Sequence, residues 1–307
     1  MIKEPMDITQ LFPVRRKNAQ KAAFRDAVLD YCCNLGYSVA VEENKKGCFN
    51  IVIGDAASAQ YLITAHYDTP ATSLFPNFYT PNNLVLYFAY QMLLVFAYIA
   101  IAFVVCVIAG LIYFDQTVIF LAWYISYMAL AFSGRYGPAN RKNWNDNTSG
   151  IVTLLETART MPENQRHKVA FILFDQEELG LVGSKAYRKA HKEQTENQTV
   201  LNLDCVGDGD QIRIFPSKTV KTDETAMNWL SRICGRNGPK QIKLKEKGTT
   251  FYPSDQKNVP RGVAIAAFRA NKWCGLYHGR IHTNRDTVLE QTNVNILRAA
   301  LTTLICQ

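Results

Sequence analysis

The pattern of apolar and polar residues divides the chain into one long hydrocarbon block and two flanking regions of ordinary soluble character. Between Leu84 and Ser133 the only charged residue is Asp115. On either side of the block, apolar runs of strand length alternate with longer stretches of helical periodicity. This alternation predicts an α/β fold with a mixed, largely parallel central sheet flanked by helices.

The hydrocarbon block at residues 84–133 is typical of two helices joined by the polar pair Asp115–Gln116. A helix needs about 20 apolar residues to cross a hydrocarbon core of about 30 Å. Residues 84–114 are ample for this, whereas residues 117–133 are marginal. The pattern favours an inserted transmembrane helical hairpin over the alternative, a buried helix pair in a soluble core. Residues 1–80 and 135–307 would then fold together as one α/β domain.

Basic residues follow the second apolar run closely, while the tip of the hairpin carries only Asp115. These basic residues are Arg135, Arg141 and Lys142, and the positive-inside rule therefore predicts that both flanks lie in the cytoplasm. The first twenty residues lack the apolar core of a signal peptide, and the eight cysteines form no CxxC pair. We therefore expect a cell-membrane protein with two spans and a cytoplasmic catalytic domain.

The net charge is +8, from 34 basic and 26 acidic side chains. No zinc finger, basic helix or interleaving of aromatic and basic residues accompanies this charge, so nucleic acid is not an expected partner. A basic face toward anionic membrane lipid is the simpler explanation. Gly110 and several alanines of the hairpin would permit helix association, so an oligomer stays open beside a lipid-facing role for these residues.

Polar side chains that can bind metals occur where three predicted strands end. The groups are His66 and Asp68 after residues 60–65, Asp175, Glu177 and Glu178 after residues 168–174, and Asp204 after residues 199–203, joined by Asp146 and His282 elsewhere. Singly, a surface histidine or an acidic pair at a helix N-terminus explains each group. The carboxyl ends of parallel strands meet at one sheet edge, so together they predict a metal site. A two-metal site needs a shared carboxylate and a further free carboxylate as base, which neighbouring glutamates could supply.

Five segments resemble, in their order along the chain, the M28 family of di-zinc metallopeptidases. They are "AHYDT", "NDNTSG", "DQEELGLVGS", "NLDCVG" and "IHTNRDT". The resemblance implies a zinc exopeptidase fold, two Zn²⁺ or other divalent cations, and a peptide or N-acyl amino acid as substrate. It also implies that the metal ligands are His66, a bridging Asp146, Glu178, Asp204 and His282, with Glu177 as general acid/base and Asp68 orienting His66. Whether Glu178 or Asp204 shares an ion with His66 stays open.

The chain departs from the family pattern in three places. Ile281 precedes the last ligand where many relatives have a tyrosine that helps the oxyanion, so Tyr277, Tyr252 or the metal alone would take that role. Gln256 stands where the family usually has a histidine, and His278 is a second candidate for the last ligand. The hydrocarbon block lies between His66 and Asp146, where relatives need only a short loop.

The leading hypothesis is a membrane-anchored exopeptidase, specifically an aminopeptidase. The alternatives are an amidohydrolase or carboxypeptidase with the same metal core, and a catalytically silent metal-binding scaffold. An acidic group placed to hold a free α-amine would favour the aminopeptidase. Basic side chains in the pocket would instead favour enzymes that recognise an α-carboxylate. This second possibility stays open because four basic residues lie near the last motif: Arg269, Lys272, Arg280 and Arg285. The position of the insertion further predicts that the site faces the bilayer surface and accepts lipophilic peptides.

Overall fold

A ten-stranded mixed sheet lies at the centre of the protein. The computed structural model describes residues 1–44, 47–246 and 251–307. The strands are β1 Val39–Asn44, β2 Cys48–Ile53, β3 Tyr61–His66, β4 Val169–Phe174, β5 Thr199–Leu203, β6 Gln211–Pro216, β7 Gly235–Asn237, β8 Lys240–Leu244, β9 Gly262–Asn271 and β10 Gly275–Tyr277. Their order is β1-β2-β4-β3-β5-β9-β6-β8-β7, with β10 paired to β9.

The middle of the sheet is parallel and its margins are mostly antiparallel. Neighbouring strands β4, β3, β5 and β9 run in one direction. The β2–β4 and β6–β9 pairs on either side are antiparallel. The prediction of a mixed sheet flanked by helices is confirmed, with the expected parallel pairing mainly at its centre.

Both faces of the sheet are covered, which explains why the central strands are apolar throughout. In β4, Val169, Phe171 and Leu173 belong to the larger hydrophobic cluster, whereas the alternating residues Ala170, Ile172 and Phe174 belong to a smaller one on the other face. Because successive side chains of a strand point to opposite faces, a strand buried on both faces cannot carry polar residues at every second position.

The helices are α1 Ile8–Leu11, α2 Asn18–Asn34, α3 Leu84–Tyr113, α4 Gln116–Tyr136, α5 Ser149–Thr160, α6 Val182–Ala190, α7 Gln194–Asn197, α8 Lys218–Lys221, α9 Glu224–Ser231 and α10 Gln291–Cys306. Residues of α2, α5, α9 and α10 contribute to the larger hydrophobic cluster, while Tyr187 of α6 packs into the smaller one.

One helix expected from the sequence is shorter than predicted. The pattern at residues 222–236 predicts a single helix, but α9 ends at Ser231 and residues from Gly235 form β7. Asn237 is the last residue of β7, and Gly238 then has a positive φ of 58° in the turn to β8. Gly238 and Pro239 form the two-residue loop between the paired residues Asn237 and Lys240. Because such loops favour glycine with a positive φ at their first position, local turn chemistry overrides the apolar periodicity there.

Helices α3 and α4 pack against each other as a hairpin and are otherwise exposed. In their most apolar stretches only 6% and 0% of residues are buried. A buried helix pair in a soluble core is therefore wrong, and both helices are long and apolar enough to cross a membrane. Asp115, the charged residue at the tip, accepts hydrogen bonds from Thr117 N and Val118 N and so caps α4.

A buried ion pair fixes α2 to the segment that follows β4. The Nζ of Lys21 lies 2.8 Å from Oδ1 of Asp175, and Phe49 N donates to the other oxygen at 3.1 Å. Both side chains are almost wholly buried. Asp175 is thus engaged with a lysine and does not join the metal-binding candidates nearby.

Replacement of Lys21 by methionine should lower the free energy of unfolding by about 3–5 kcal/mol, because the Asp175 carboxylate would stay buried without its partner. The measurement is urea unfolding of the purified protein in detergent. Lys189→Met is the matched control, since Lys189 is exposed on α6, and it should change stability by less than about 0.5 kcal/mol. Equal stability of the two variants would contradict the assigned role.

Candidate metal centre

Three adjacent parallel strands deliver acidic and imidazole side chains to one edge of the sheet. His66 is the last residue of β3, and Asp204 follows β5. Glu177 and Glu178 lie in the turn between β4 and α6. Asp146 enters from the turn before α5, and His282 from the loop before α10. The structure therefore brings all five predicted ligands and the predicted base into one cavity of about 170 Å³.

The loop around Asp146 is held by hydrogen bonds from both neighbouring asparagines. The Oδ1 of Asn145 accepts from Gly207 N at 2.7 Å and Asp208 N at 3.0 Å. Asn147 donates from Nδ2 to the Leu203 carbonyl at 2.9 Å. These bonds attach the loop to the end of β5, which explains the "NDN" pattern: the amides fix the backbone while Asp146 faces the cavity.

The glycine of this motif is required by close packing. A Cβ on Gly150 would collide with Oδ1 of Asn147 and with the carbonyl oxygen of Leu203. Gly150 N also donates to that Asn147 oxygen at 3.1 Å. The α5 helix can therefore begin directly against β5 only with glycine at this position.

The potential ligand atoms form three overlapping groups, of which the third contains His66, Glu177 and Glu178. The other two share Asp146 and together include all five predicted ligands. His66 Nε2 lies 3.4 Å from Asp146 Oδ1 and 4.0 Å from Asp204 Oδ1. His282 Nε2 lies 3.0 Å from the other oxygen, Asp146 Oδ2, and 3.5 Å from Glu178 Oε2. Within each group the potential ligand atoms lie within 4.8 Å of one another. Of the two partitions left open by the sequence, this arrangement favours His66 with Asp204 and His282 with Glu178.

Asp68 links the first histidine to the glutamate turn. Its oxygens accept from Glu177 N at 3.0 Å and Glu178 N at 3.2 Å, and Oδ1 lies 3.4 Å from His66 Nδ1. This placement agrees with the predicted role of orienting His66, because the carboxylate leaves Nε2 to face the cavity.

Asp286 supports the Asp146 loop from the opposite side. Its two oxygens accept one hydrogen bond each, from Asn145 N and Asp146 N, both at 3.0 Å. Burial raises the pKa of Asp286 to about 7, and the nearby Asp146 acts in the same direction.

Arg15 is a structural residue that no pattern in the sequence reveals. Its side chain is fully buried and donates to the Tyr67 carbonyl at 2.6 Å and to Thr148 Oγ1 at 3.0 Å. It thereby connects the end of β3 to the loop that carries Asp146. In the sequence it stands in a basic run, "RRK", that is typical of a solvated surface.

The electrostatics of the metal-free cavity are dominated by burial and by crowded carboxylates. Burial raises the pKa of Glu178 to about 8 despite the opposing effect of His282. Burial alone would lower the pKa of His282, but Glu178 and Asp146 raise it to about 9. The Asp146 pKa is lowered, because hydrogen bonds from His282 and His66 outweigh its burial. Such opposed shifts among touching groups mark a site arranged for cations.

Three non-glycine residues beside the site have left-handed backbone conformations. They are Gln176 (φ 56°), Cys205 (φ 56°) and His282 (φ 61°). Conformations of this kind are costly for residues with a Cβ and are concentrated at functional sites. Gln176 and Cys205 immediately precede and follow the predicted functional residues Glu177 and Asp204, so the local strain accompanies their placement.

The cavity residues fit a metal by their chemistry. One buried atom of a predicted ligand, Glu178 Oε1, has no hydrogen-bond partner among the described residues. Imidazole nitrogens and carboxylate oxygens are the donors that zinc prefers apart from thiolates. The donor set and its two-group arrangement therefore fit zinc, with Asp146 available to both groups.

The residues at which the chain departs from the family pattern take mainly structural positions. Tyr252 lines the cavity and donates from its hydroxyl to the Asp204 carbonyl at 3.0 Å, whereas Tyr277 lies outside the cavity lining. His278 is buried with its ring 4.3 Å from that of Phe268, and it belongs to neither ligand group. Gln256 donates to the Tyr252 carbonyl at 2.7 Å and does not line the metal cavity.

Comparison with known proteins places the chain in a family. The family model described as peptidase family M28 matches residues 115–304. The chain belongs to peptidase family M28. This identification agrees with the resemblance found in the sequence motifs, and it supports a metal-dependent peptidase. No curated protein matches the chain significantly.

Several solved structures share the fold of this M28 member at low sequence identity. Glutaminyl cyclase from Porphyromonas gingivalis is 15% identical, with a TM-score of 0.60 over 99% of this chain and 96% of its own. A Zn-dependent exopeptidase from Parabacteroides distasonis is 16% identical, with a TM-score of 0.59 over 98% and 94%. The LapA aminopeptidase of Legionella pneumophila is 16% identical, with a TM-score of 0.55 over 98% and 67%. Such identities establish the fold of this chain and leave its substrate open.

Substitution of Asp286 by asparagine should weaken zinc binding by about 10- to 100-fold, because one of its two oxygens facing the Asn145 and Asp146 amides becomes an NH₂ group. Competition with a chromophoric chelator measures the affinity. Asp210→Asn serves as control, since the Asp210 side chain is 55% exposed. An unchanged zinc affinity in Asp286→Asn would contradict a supporting role for this carboxylate.

Zinc affinity should rise with pH up to about pH 9. The raised pKa values of His282, about 9, and Glu178, about 8, mean that both groups carry protons in the metal-free site at neutral pH. Metal binding must displace these protons, so each is released as pH rises and competition weakens. Chelator competition across this pH range tests it, with His167→Asn at an exposed position as control. A pH-independent affinity would refute the expectation.

Proposed function

We propose that the protein is a membrane-anchored, zinc-dependent aminopeptidase. The observation that carries the proposal is the pair of ligand groups sharing Asp146, with the Glu177 carboxylate beside them in the same cavity. In this proposal His66, Asp146 and Asp204 hold one divalent cation and Asp146, Glu178 and His282 hold a second. Cations bound there would polarise the substrate carbonyl and make a water molecule nucleophilic at neutral pH.

Glu177 is the proposed proton carrier. Burial raises its pKa well above the ordinary value, and Glu178, Asp255 and Asp204 act in the same direction. Bound cations would offset this shift and keep Glu177 ionised, so that an Oε atom can take a proton from the water as the water oxygen bonds to the carbonyl carbon. The C–N bond then breaks, and Glu177 returns the proton to the leaving amine. Asp68 keeps the Glu177 backbone in place throughout.

The charge of the cavity wall supports recognition of an α-amine over an α-carboxylate. Among the described residues, no lysine or arginine lines the cavity, so no fixed cation there is placed to bind an α-carboxylate. Arg269 and Arg280, which the sequence left as carboxylate-binding candidates, are engaged with Asp208 at 2.8 Å and 3.7 Å. Lys272 and Arg285 are exposed. These placements favour the aminopeptidase over the carboxypeptidase or N-acyl amino acid alternatives.

The two exposed apolar helices support the proposed anchoring. We place the catalytic domain in the cytoplasm, because Arg135 lies in the last turn of α4 and Arg141 and Lys142 follow that helix. All eight cysteines are unpaired, which agrees with a reducing compartment.

Glu177→Gln should reduce turnover by at least about 100-fold while leaving the zinc content unchanged, since the amide cannot accept the proton. Turnover is measured on short peptides with free N-termini, and metal content by mass spectrometry of the purified protein. Glu193→Gln, at an exposed position, is the control and should retain full activity.

Acetylated copies of the peptides test the aminopeptidase assignment, and they should resist hydrolysis. A peptide with N-terminal glutamine is included because three of the similar structures are glutaminyl cyclases. Ammonia release without peptide hydrolysis would replace the proposal with cyclisation. Zinc binding without turnover of any peptide would instead favour the silent scaffold.

A further inference from the structure

The chain segment that leads into the hairpin, residues 73–79, is hydrogen-bonded to the loop that carries His282. Ser73 N donates to the His282 carbonyl at 2.8 Å. Tyr79 and His278 exchange two backbone hydrogen bonds, of 3.1 Å and 2.9 Å. The entry to the hairpin and the loop of a predicted metal ligand therefore form one unit.

The first turns of α3 are fixed to the same segment. The hydroxyl of Tyr90 donates to the Pro76 carbonyl at 2.7 Å, and Asn83 caps the helix by accepting from Leu86 N. The rings of Tyr79 and Tyr87 pack edge to face with centroids 5.4 Å apart. As a result Tyr87, in the first turn of an apolar helix, lines the cavity that holds the metal-binding groups.

The unequal lengths of the two helices set the height of this cavity above the hydrocarbon core. With 30 residues α3 is about 45 Å long, whereas α4 with 21 residues is about 31 Å, close to the thickness of a hydrocarbon core. Near the end of the apolar run of α4, the side chain of Ser133 lies beside the hydroxyl of Tyr98 of α3, so these two residues lie at one level. Tyr87 is three helical turns nearer to the catalytic domain, about 16 Å above that level.

A peptide leaving the bilayer must cross this distance before its end can reach the cavity. An extended chain advances about 3.3 Å per residue, so a tail of about five residues is required. The hairpin would hold the cavity at this height above the hydrocarbon core. One hairpin residue, Tyr87, is part of the cavity wall.

We propose that the substrates are the N-terminal tails of membrane-anchored polypeptides, with free amines about five or more residues from the point of anchoring. Tyr87 is the hairpin residue that lines the cavity, and it would contact the tail there. The inference rests on the proposed aminopeptidase function and adds the class of substrate.

The experiment uses the full chain reconstituted in lipid vesicles and peptides that share one N-terminal sequence but differ in their distance from a C-terminal lipid anchor. Spacers of about two, six and twelve residues bracket the required reach. Turnover with the shortest spacer should fall at least about tenfold below that with the middle one, because a tail that cannot span the gap has almost no effective concentration at the site. The longest spacer should be slightly less effective than the middle one.

The same peptides without the lipid provide the matched control, and their turnover should not depend on spacer length. Equal turnover of the anchored peptides at every spacer length would overturn the inference. That result would leave the aminopeptidase proposal intact, whereas failure to hydrolyse any peptide, anchored or soluble, would overturn the proposed function itself.

Substitutions at two neighbouring residues of α3 test whether the hairpin contacts the substrate in the cavity or only attaches the domain to the membrane. Tyr87→Ala should lower kcat/KM on the six-residue-spacer peptide several-fold. Phe88→Ala, at a position 57% exposed and absent from the cavity lining, should leave it unchanged. Equal effects of the two substitutions, with zinc content and vesicle binding preserved, would count against a role for the hairpin in the substrate path.

Discussion

The arrangement of the cavity depends on one carboxylate that serves two groups of ligands. Asp146 directs Oδ1 toward His66 and Oδ2 toward His282, so the two groups can coexist only if its orientation is fixed. Asp286 holds the backbone of the loop, and Asn145 and Asn147 attach it to the end of β5. Without cations, burial raises the pKa values of Glu177, Glu178 and Asp204, and neighbouring carboxylates act in the same direction. Bound cations would offset the cost of keeping these groups charged.

The topology of the sheet explains how a long insertion can lie so close to this centre. The chain leaves the sheet at the carboxyl end of β3, which is already the functional edge of the parallel strands. It returns to the same edge: Thr72 N donates to the Pro138 carbonyl at 2.7 Å, and Asn140 N to the Pro70 carbonyl at 2.9 Å. These bonds close the neck of the insertion, so the segments before and after the hairpin meet beside the site.

Most of the sheet centre and the composition of the site could be predicted from the sequence, because both depend on local patterns. Apolar runs followed by His66, Glu177 or Asp204 mark strand ends, and parallel packing then requires these groups to meet. The partition of ligands could not be predicted, since it depends on distances of a few ångströms between separate loops. Arg15 and Lys21 were missed for a related reason: a buried cation resembles a surface one until its partner is known.

The root of the hairpin makes more contacts with the domain than a flexible linker would. A passive anchor would join the domain through a flexible linker and make few contacts with it. Here the linking segment hydrogen-bonds the His282 loop, and the first turn of α3 supplies part of the cavity wall. The position of a predicted metal ligand is thus coupled to the root of the hairpin by backbone hydrogen bonds.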